Sequence, residues 1–160
     1  MAVDAQTFRE VMAHFATGVA VVTTLRPEGF HGLTVNAFCS VSLEPPLVLV
    51  CLDRLSLSHD YVRESGVYGV SILGRGQMFL ADRFSGQAPL VSPRFEGVPY
   101  RTAATGVPLL GQALAWLDCR VAAEYDGGDH TIFLGQVEAA GVGAADAPLV
   151  FYGRRYVRLG

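Results

Sequence analysis

The sequence predicts an all-β fold, an antiparallel barrel accompanied by two or three peripheral helices. Roughly seven segments are rich in apolar and β-branched residues, and turn signals containing Gly or Pro separate them. Helical patterns do not alternate regularly with these segments, which argues against a doubly wound parallel sheet. The 160 residues contain no linker, internal repeat or low-complexity tract. We therefore expect a single domain over residues 1–160.

The first part of the chain predicts a helix followed by three strands. Asp4 is a suitable N-cap, and Gly18 is the expected end of a helix whose apolar residues recur at i, i+3, i+4 and i+7, namely Phe8, Val11, Met12 and Phe15. Strands are expected at 19–24, 33–43 and 47–52, of which the first and last are buried, with a turn at 27–29 after the first of them. Two prolines at 45–46 separate the last two strands, because neither strand interior accepts a proline.

The middle of the chain predicts two short helices around one strand. Ser58 is the expected N-cap of a helix through Glu64, and Gly66 occupies its C-terminal capping position. A strand is predicted at 67–73 and a second helix at 77–84. The segment 85–111 is rich in Gly, Pro and Ser, which predicts a long surface loop.

The last part of the chain predicts two strand pairs. Long strands at 114–125 and 131–142 flank the sequence Asp-Gly-Gly-Asp at 126–129, which is a strong hairpin signal. A final strand pair is expected over 149–159, with its turn at Gly153.

The composition restricts the class of partner. Hydrophobic residues make up 51% of the chain and charged residues 17%, with a mean hydropathy of +0.33, so part of the surface is expected to lie in an oligomer interface. The net charge is −3, and the 12 basic residues are all Arg and scattered, which argues against nucleic acid as a partner. The longest apolar run, 47–52, is too short to span a bilayer, so no membrane insertion is expected.

Three cysteines, Cys39, Cys51 and Cys119, lie in separate apolar segments and form no CxxC motif. Their odd number and the lack of a signal-peptide pattern predict a cytoplasmic protein with buried, reduced thiols.

The segment after the strand 47–52 has the composition of an anion site. Ser56 and Ser58 supply hydroxyls at a predicted helix start, where free amides and the helix dipole attract negative charge. Arg54 is placed to add a charge-assisted hydrogen bond. The alternative is an ordinary Ser N-cap with no ligand.

The strand 33–43 carries more small polar groups than a core strand needs. They are Thr34, Asn36, Ser40 and Ser42, and the two prolines place this strand beside the anion segment. Two adjacent polar patches in an apolar setting indicate a small-molecule pocket. Asn36 is disfavoured within a strand, so it either lies at an edge bonded to water or binds a heteroatom of the ligand.

Side-chain catalysis has little support in the sequence. His130 shares a strand face with Ile132 and Leu134, and no set of His, Cys, Asp or Glu accompanies it, so no metal site is predicted. The chain has no Gly-x-Ser-x-Gly elbow, and Gly74-Arg75-Gly76 is too short for a dinucleotide fingerprint. These observations point to chemistry carried by a bound cofactor.

The chain resembles the flavin reductase family, the small reductase components of two-component flavin-dependent monooxygenases. The resemblance rests on residues 15–24, on 34–46, on Arg54-x-Ser56-x-Ser58, on the Gly-Asp-His hairpin at 128–135 and on the closing segment 148–156. These motifs occur in the right order over nearly the whole chain.

The resemblance implies a fold and a set of site residues. The fold is an antiparallel Greek-key split β-barrel that binds FMN and forms a homodimer. The isoalloxazine is lined by Thr34, Val35, Asn36 and Ala37, and its edge by Ser40, Val41 and Ser42. Backbone groups of Cys51, Leu52 and Asp53 face the ribityl chain and phosphate, and the phosphate is bound by Ser56 and Ser58, with Arg54 beside them. His130 lies beside the nicotinamide, Tyr156 near the flavin, and Phe84 borders the same pocket.

The implied activity is hydride transfer from the nicotinamide C4 to the flavin N5, with FMN or FAD as the flavin. No basic cluster for a 2′-phosphate is present, which favours NADH over NADPH. Reduced flavin then passes to a partner oxygenase. Two alternatives remain from the residues alone: a non-catalytic flavin- or haem-binding electron-transfer barrel, and a structural barrel without a ligand.

Overall fold

The computed structural model describes residues 2–85 and 95–159. Three helices lie at Ala5–Met12 (α1), Leu57–Ser65 (α2) and Met78–Phe84 (α3), and a 3-10 turn at Arg75–Gln77 precedes the last. Twelve strands occur in these residues: Thr17–Gly18 (β1), Ala20–Arg26 (β2), Gly29–Val35 (β3), Phe38–Ser42 (β4), Leu47–Asp53 (β5), Val67–Ile72 (β6), Tyr100–Arg101 (β7), Leu109–Leu110 (β8), Ala115–Gly127 (β9), His130–Val142 (β10), Val150–Tyr152 (β11) and Arg155–Val157 (β12).

Seven strands form one antiparallel sheet in the order β3-β2-β6-β9-β10-β5-β4. Its two edges, β3 and β4, are consecutive in the chain and are joined only by Asn36 and Ala37. Three Cα–Cα steps span at most roughly 11 Å. The sheet must therefore curl until its edges lie side by side, and in the described residues no ladder joins them. The predicted antiparallel barrel is confirmed, with a split between β3 and β4.

β2 is buried on both faces, which explains its unbroken run of apolar and β-branched residues. Ala20 and Val22 belong to the barrel core, together with Val50, Tyr68 and Phe133. The alternate residues of this segment, Val19 and Val21, instead pack with Leu73, Leu80, Phe84 and Leu149 in a second cluster beneath α3. This second cluster fixes α3 against the outer surface of the barrel.

Gly32 permits the closest approach between α3 and the barrel. A Cβ at this position would lie 2.8 Å from a ring carbon of Phe84, which is closer than real Cβ contacts. Phe84 is fully buried and also meets the ring of Phe95 at 5.0 Å. The missing side chain of Gly32 therefore allows α3 to cover β3.

Most predicted elements are confirmed. The long hairpin turns at Gly128 and Asp129 between β9 and β10, and the final strand pair turns at Gly153, which has a φ of +62°. Asp4 caps α1 by accepting a hydrogen bond from the Thr7 amide, and Gly66 ends α2 in the left-handed conformation.

The prediction of one strand over 33–43 is wrong. β3 ends at Val35 and β4 begins at Phe38, because the chain crosses there from one edge of the sheet to the other. The Phe38 amide donates to the Asn36 carbonyl, which closes a local turn at the crossing. Asn36 therefore lies in the split, not within a strand.

Ser58 is not the N-cap of α2. The cap is Ser56, whose Oγ accepts a hydrogen bond from the His59 amide at 3.2 Å. Ser58 lies inside the first turn, is buried, and shares a 2.7 Å hydrogen bond with His31 Nε2 of β3. The two serines are close in sequence but serve different structural roles.

The predicted surface loop at 85–111 is only partly tested, because residues 86–94 lie outside the described part of the chain. In the rest, β7 pairs with β8, and Val107, Leu109 and Leu110 are buried. Asp118 anchors this segment by accepting hydrogen bonds from the amides of Ala104 and Thr105. Residues 107–110 therefore pack on the barrel, which corrects the prediction there, whereas most of 95–106 is exposed as a surface loop would be.

α1 ends at Met12, before the predicted end at Gly18, and buries none of its residues. Its apolar face is exposed to solvent, with Phe8 60%, Val11 61% and Met12 46% exposed, and Phe15, just after the helix, is 67% exposed. Among the described residues, no helix is both long enough and apolar enough to cross a membrane.

A matched pair of leucines tests the assignment of the core. Leu52 is 1% exposed inside the barrel, and Leu55 is 96% exposed in the following turn. We expect Leu52→Ala to lower the free energy of unfolding by about 2–5 kcal/mol, because it leaves a cavity. Leu55→Ala should change it by less than about 0.5 kcal/mol. Urea unfolding of both variants measures the difference, and equal effects would contradict the core assignment.

Candidate binding site at the barrel split

A groove of about 700 Å³ opens at the split between β3 and β4. It brings together Val35, Asn36, Ala37 and Cys51 of the predicted site. The rest of its wall is largely apolar and comes from the end of α1, from β1 and β2, and from the barrel edge: Met12, Phe15, Ala16, Thr17, Gly18, Val19, Ala20, Phe38, Cys39, Leu49 and Ile72. Its volume is that of an ordinary small-molecule pocket.

The chemistry of this groove suits a flat ring with a polar edge. β3 and β4 are edge strands, so each presents main-chain N–H and C=O groups that no neighbouring strand takes up on its outer side. Asn36 is exposed at the crossing and adds an amide. Apolar walls with main-chain donors and acceptors at one rim fit the isoalloxazine of a flavin, which has apolar faces and a hydrogen-bonding edge.

A smaller pocket of about 140 Å³ adjoins the groove and brings Tyr156 to the predicted flavin segment. Thr34, Val35 and Asn36 line it together with Tyr156, Phe151, Val19 and Ser85. Burial raises the pKa of Tyr156, and the carboxylate of Asp82 raises it further, so the phenol is a hydrogen-bond donor at neutral pH. The Thr34 hydroxyl already donates to the Ala81 carbonyl at 2.7 Å, so it can offer a ligand only an acceptor.

A second groove, of about 630 Å³, brings together Ser56, Ser58 and Phe84. It also contains His31, which the sequence did not single out. The His31 ring lies 5.1 Å from the Tyr61 ring and hydrogen-bonds to Ser58. His31 and Ser58 meet only because β3 packs against α2, and no sequence spacing indicates that contact.

Arg54 does not lie in the second groove. Its Nε donates to the Gly128 carbonyl at 2.8 Å, and its guanidinium pairs with the Asp126 carboxylate. The side chain is therefore directed to the β9–β10 turn. The anion site predicted from the sequence retains its two hydroxyls and the start of α2, but not its arginine.

The remaining predicted flavin residues are spread along β4 and β5. Leu52 buries its side chain in the core, so it has only main-chain groups for a ligand. Asp53 is exposed, and its carboxylate accepts from the Leu55 amide at 2.8 Å. Three residues of β4 line none of the grooves described here: Ser40, Val41 and Ser42.

His130 opens β10 directly opposite Asp53 of β5. It is half-buried, and its Nδ1 lies 2.7 Å from the Asp129 carboxylate. This hydrogen bond and the charge of the imidazole lower the pKa of Asp129. The carboxylate therefore fixes the ring through Nδ1, and Nε2 takes no part in this hydrogen bond. Over residues 2–85 and 95–159, no group of three His, Cys, Asp or Glu could hold a metal ion.

The three thiols are not all buried, which corrects the prediction. Cys39 is exposed, Cys51 is half-buried and Cys119 is buried. Burial raises the pKa of Cys51, and burial with the charge of Asp118 raises the pKa of Cys119 to about 12.

Thiol labelling tests this order of exposure. In mildly alkaline buffer we expect N-ethylmaleimide to modify Cys39 first, Cys51 more slowly, and Cys119 only after unfolding. A raised pKa reduces the thiolate fraction that reacts. Mass spectrometry of the wild type and of Cys39→Ser assigns each phase. Modification of Cys119 in the folded protein at the rate of Cys39 would contradict the structure.

Comparison with known proteins identifies the family. The model of the "Flavin reductase like domain" matches residues 12–160. A flavin reductase (NADH) of Kitasatospora aureofaciens is 43% identical over 160 residues, 98% of this chain and 82% of the relative. The NADH-dependent flavin reductase StyB of Pseudomonas fluorescens is 39% identical over 157 residues, 96% of this chain and 89% of the relative.

The fold is similar to that of a solved NADH:FAD oxidoreductase from Streptomyces globisporus. The TM-score is 0.91 at 38% identity, and the match covers 100% of this chain and 96% of that one. The same enzyme has also been solved in complex with NAD and FAD fragments, with a TM-score of 0.90. The family model and these relatives span nearly the whole chain, and so the chain belongs to the flavin reductase family.

Proposed function

We propose that this protein is an NAD(P)H-dependent flavin reductase that transfers a hydride from a nicotinamide, preferably NADH, to FMN or FAD. The observation that carries the proposal is the groove at the barrel split, where apolar walls meet the polar edges of β3 and β4. The relatives named above are all named for NADH, and one of them is an NADH:FAD oxidoreductase. Reduced flavin is then delivered to a partner oxygenase.

The bound flavin supplies the redox chemistry, because its ring accepts the hydride and stores the charge. The residues of the groove bind and orient the reactants. Val35, Phe38 and Leu49 line the groove and would exclude water from one face of a bound ring, and Asn36 would hydrogen-bond to the polar ring edge. Holding two rings in reactive contact removes much of the entropic barrier to the transfer.

β3 connects the two grooves that one flavin would occupy. His31 lines the second groove, and Val35 lines the first. Four residues of extended strand cover about 13 Å. That distance is comparable to the reach of a ribityl chain with its phosphate. We therefore place the phosphate at Ser58 and Ser56, beside the positive end of α2.

His130 is proposed to contact the nicotinamide. Its ring is oriented by Asp129 through Nδ1, and register pairing places it beside Asp53 at the end of β5. The hydride itself needs no protein acid, which agrees with a site built from hydroxyls, amides and apolar side chains. A non-catalytic flavin carrier of the same fold would not need a positioned nicotinamide.

NADH oxidation separates the reductase from the carrier. We expect the wild type to consume NADH in the presence of FMN or FAD, and His130→Ala to raise the KM for NADH about tenfold with little change for flavin. Loss of one well-oriented contact of 1–1.5 kcal/mol corresponds to that factor. Steady-state kinetics with each substrate varied in turn gives both constants. No oxidation with either flavin and either nicotinamide would refute the reductase, and an equal rise in both constants would refute the role of His130.

We also propose a homodimer formed through α1. Phe8 and Val11 of this helix are 60% and 61% exposed, and exposed apolar patches mark interaction sites. Met12 at the helix end and Phe15 just after it line the split groove. A second copy covering this face would shield both the helix and the groove.

Sedimentation tests the dimer. The wild type should sediment as a dimer, and Phe8→Glu combined with Val11→Glu should sediment as a monomer, because two buried charges oppose association. Gln6→Glu, on the opposite side of α1, is the matched control and should remain dimeric. A wild-type monomer that binds flavin would contradict the proposal.

A further inference from the structure

We propose that Arg54 is a positioning residue for His130, acting through the β9–β10 turn, and that it does not bind the flavin phosphate. The inference rests on the proposed function, since His130 is assigned to the nicotinamide there. The sequence around Arg54 indicates an anion site, whereas the proposed role of Arg54 is in the binding of NADH.

Arg54 makes three contacts with the turn, from both its main chain and its side chain. Its amide donates to the Asp129 carbonyl at 3.0 Å. Its Nε donates to the Gly128 carbonyl at 2.8 Å, and its guanidinium pairs with the Asp126 carboxylate. The Asp126 carboxylate also accepts from the Gly128 amide at 3.3 Å. Three acceptors of the turn, on Asp126, Gly128 and Asp129, are thus held by one residue.

The turn contains two successive glycines, so contacts from another segment are needed to fix its conformation. Gly127 and Gly128 have the largest backbone freedom of any residue type, and Gly128 has a φ of +77°. His130 directly follows the turn. The Arg54 amide donates to the Asp129 carbonyl, and the Asp129 carboxylate hydrogen-bonds to His130 Nδ1 at 2.7 Å. Fixing the turn therefore fixes the position of the imidazole.

Because of these contacts, the Arg54 side chain is directed away from the proposed phosphate site. A guanidinium engaged with a carbonyl and a carboxylate must break both contacts before it can bind another anion. Arg54 does not line the groove that contains Ser56 and Ser58. The Ser56 Oγ donates its proton to the Asp53 carbonyl at 2.8 Å, so the Ser58 hydroxyl and main-chain amides would be the donors for the phosphate.

We expect Arg54→Ala to raise the KM for NADH roughly two- to fivefold and to leave the flavin Kd unchanged. This is the size expected for a half-exposed ion pair with supporting hydrogen bonds. Arg54→Lys keeps the charge but cannot reach both acceptors in one plane, so it should rescue only part of the effect. Asp126→Ala should raise the KM for NADH in the same direction.

Combining variants tests the route through His130. In the His130→Ala background, Arg54→Ala should raise the KM for NADH no further, because residues that act through one another are not additive. An additional rise in the double variant overturns the proposal. Thermal unfolding of each variant confirms that the comparison is made on folded protein.

Comparing FMN with riboflavin tests the phosphate alternative. Riboflavin lacks the phosphate, so Arg54→Ala should leave the ratio of the two Kd values unchanged, whereas Ser58→Ala should reduce the preference for FMN. A selective loss of FMN affinity in Arg54→Ala overturns the proposal. Arg63→Ala is the matched control, because Arg63 forms a similar exposed ion pair with Glu124 of the neighbouring strand at 2.9 Å, away from the turn.

The outcomes also separate this inference from the proposed function. An active wild type with an unchanged KM for NADH in Arg54→Ala overturns only the role of Arg54. A wild type that does not oxidise NADH with any flavin overturns the proposed function and the role of Arg54 with it.

Discussion

The structure depends on one geometric constraint, the two-residue link between the edges of the seven-stranded sheet. Because Asn36 and Ala37 must carry the chain from β3 to β4, the sheet curls into a barrel that stays split at this point. In the described residues, no strand pairs with the outer sides of β3 and β4 at the split, and apolar side chains lie beside these edges. Such a rim is costly in a core but suits a ligand with flat apolar faces and a polar edge. The fold and the site therefore have the same origin.

A second short segment, residues 53–56, connects the two ends of the proposed reaction. The Asp53 carbonyl accepts from both the amide and the hydroxyl of Ser56, which begins the helix at the phosphate site. The next residue, Arg54, holds the turn that carries His130. In the proposed function, this one turn after β5 would therefore support both the phosphate site at the start of α2 and the hairpin that carries His130.

Local patterns predicted most of this fold, and contacts between distant segments account for the rest. The β-branched run of β2 and the Gly-Gly hairpin are visible in the sequence because their burial and turn chemistry are local. The break at Asn36 is not visible in the sequence. Two consecutive strands at opposite edges of a sheet show the same alternation of apolar and polar residues as one continuous strand. Ser56 caps α2, whereas Ser58 hydrogen-bonds to His31 of β3, and that contact has no sequence signature.

Arg54 shows how a local pattern can indicate one function and the folded chain another. An arginine beside two hydroxyls at a helix start indicates anion binding, yet its partners lie more than seventy residues away in the hairpin. With the guanidinium held there, a phosphate at the start of α2 would meet neutral donors and the helix dipole, which attract it less strongly than a bidentate arginine does. A reductase that hands its reduced flavin to a second protein must release it. In the proposed function, an arginine that orders the site of the hydride donor and does not bind the phosphate would serve both NADH use and flavin release.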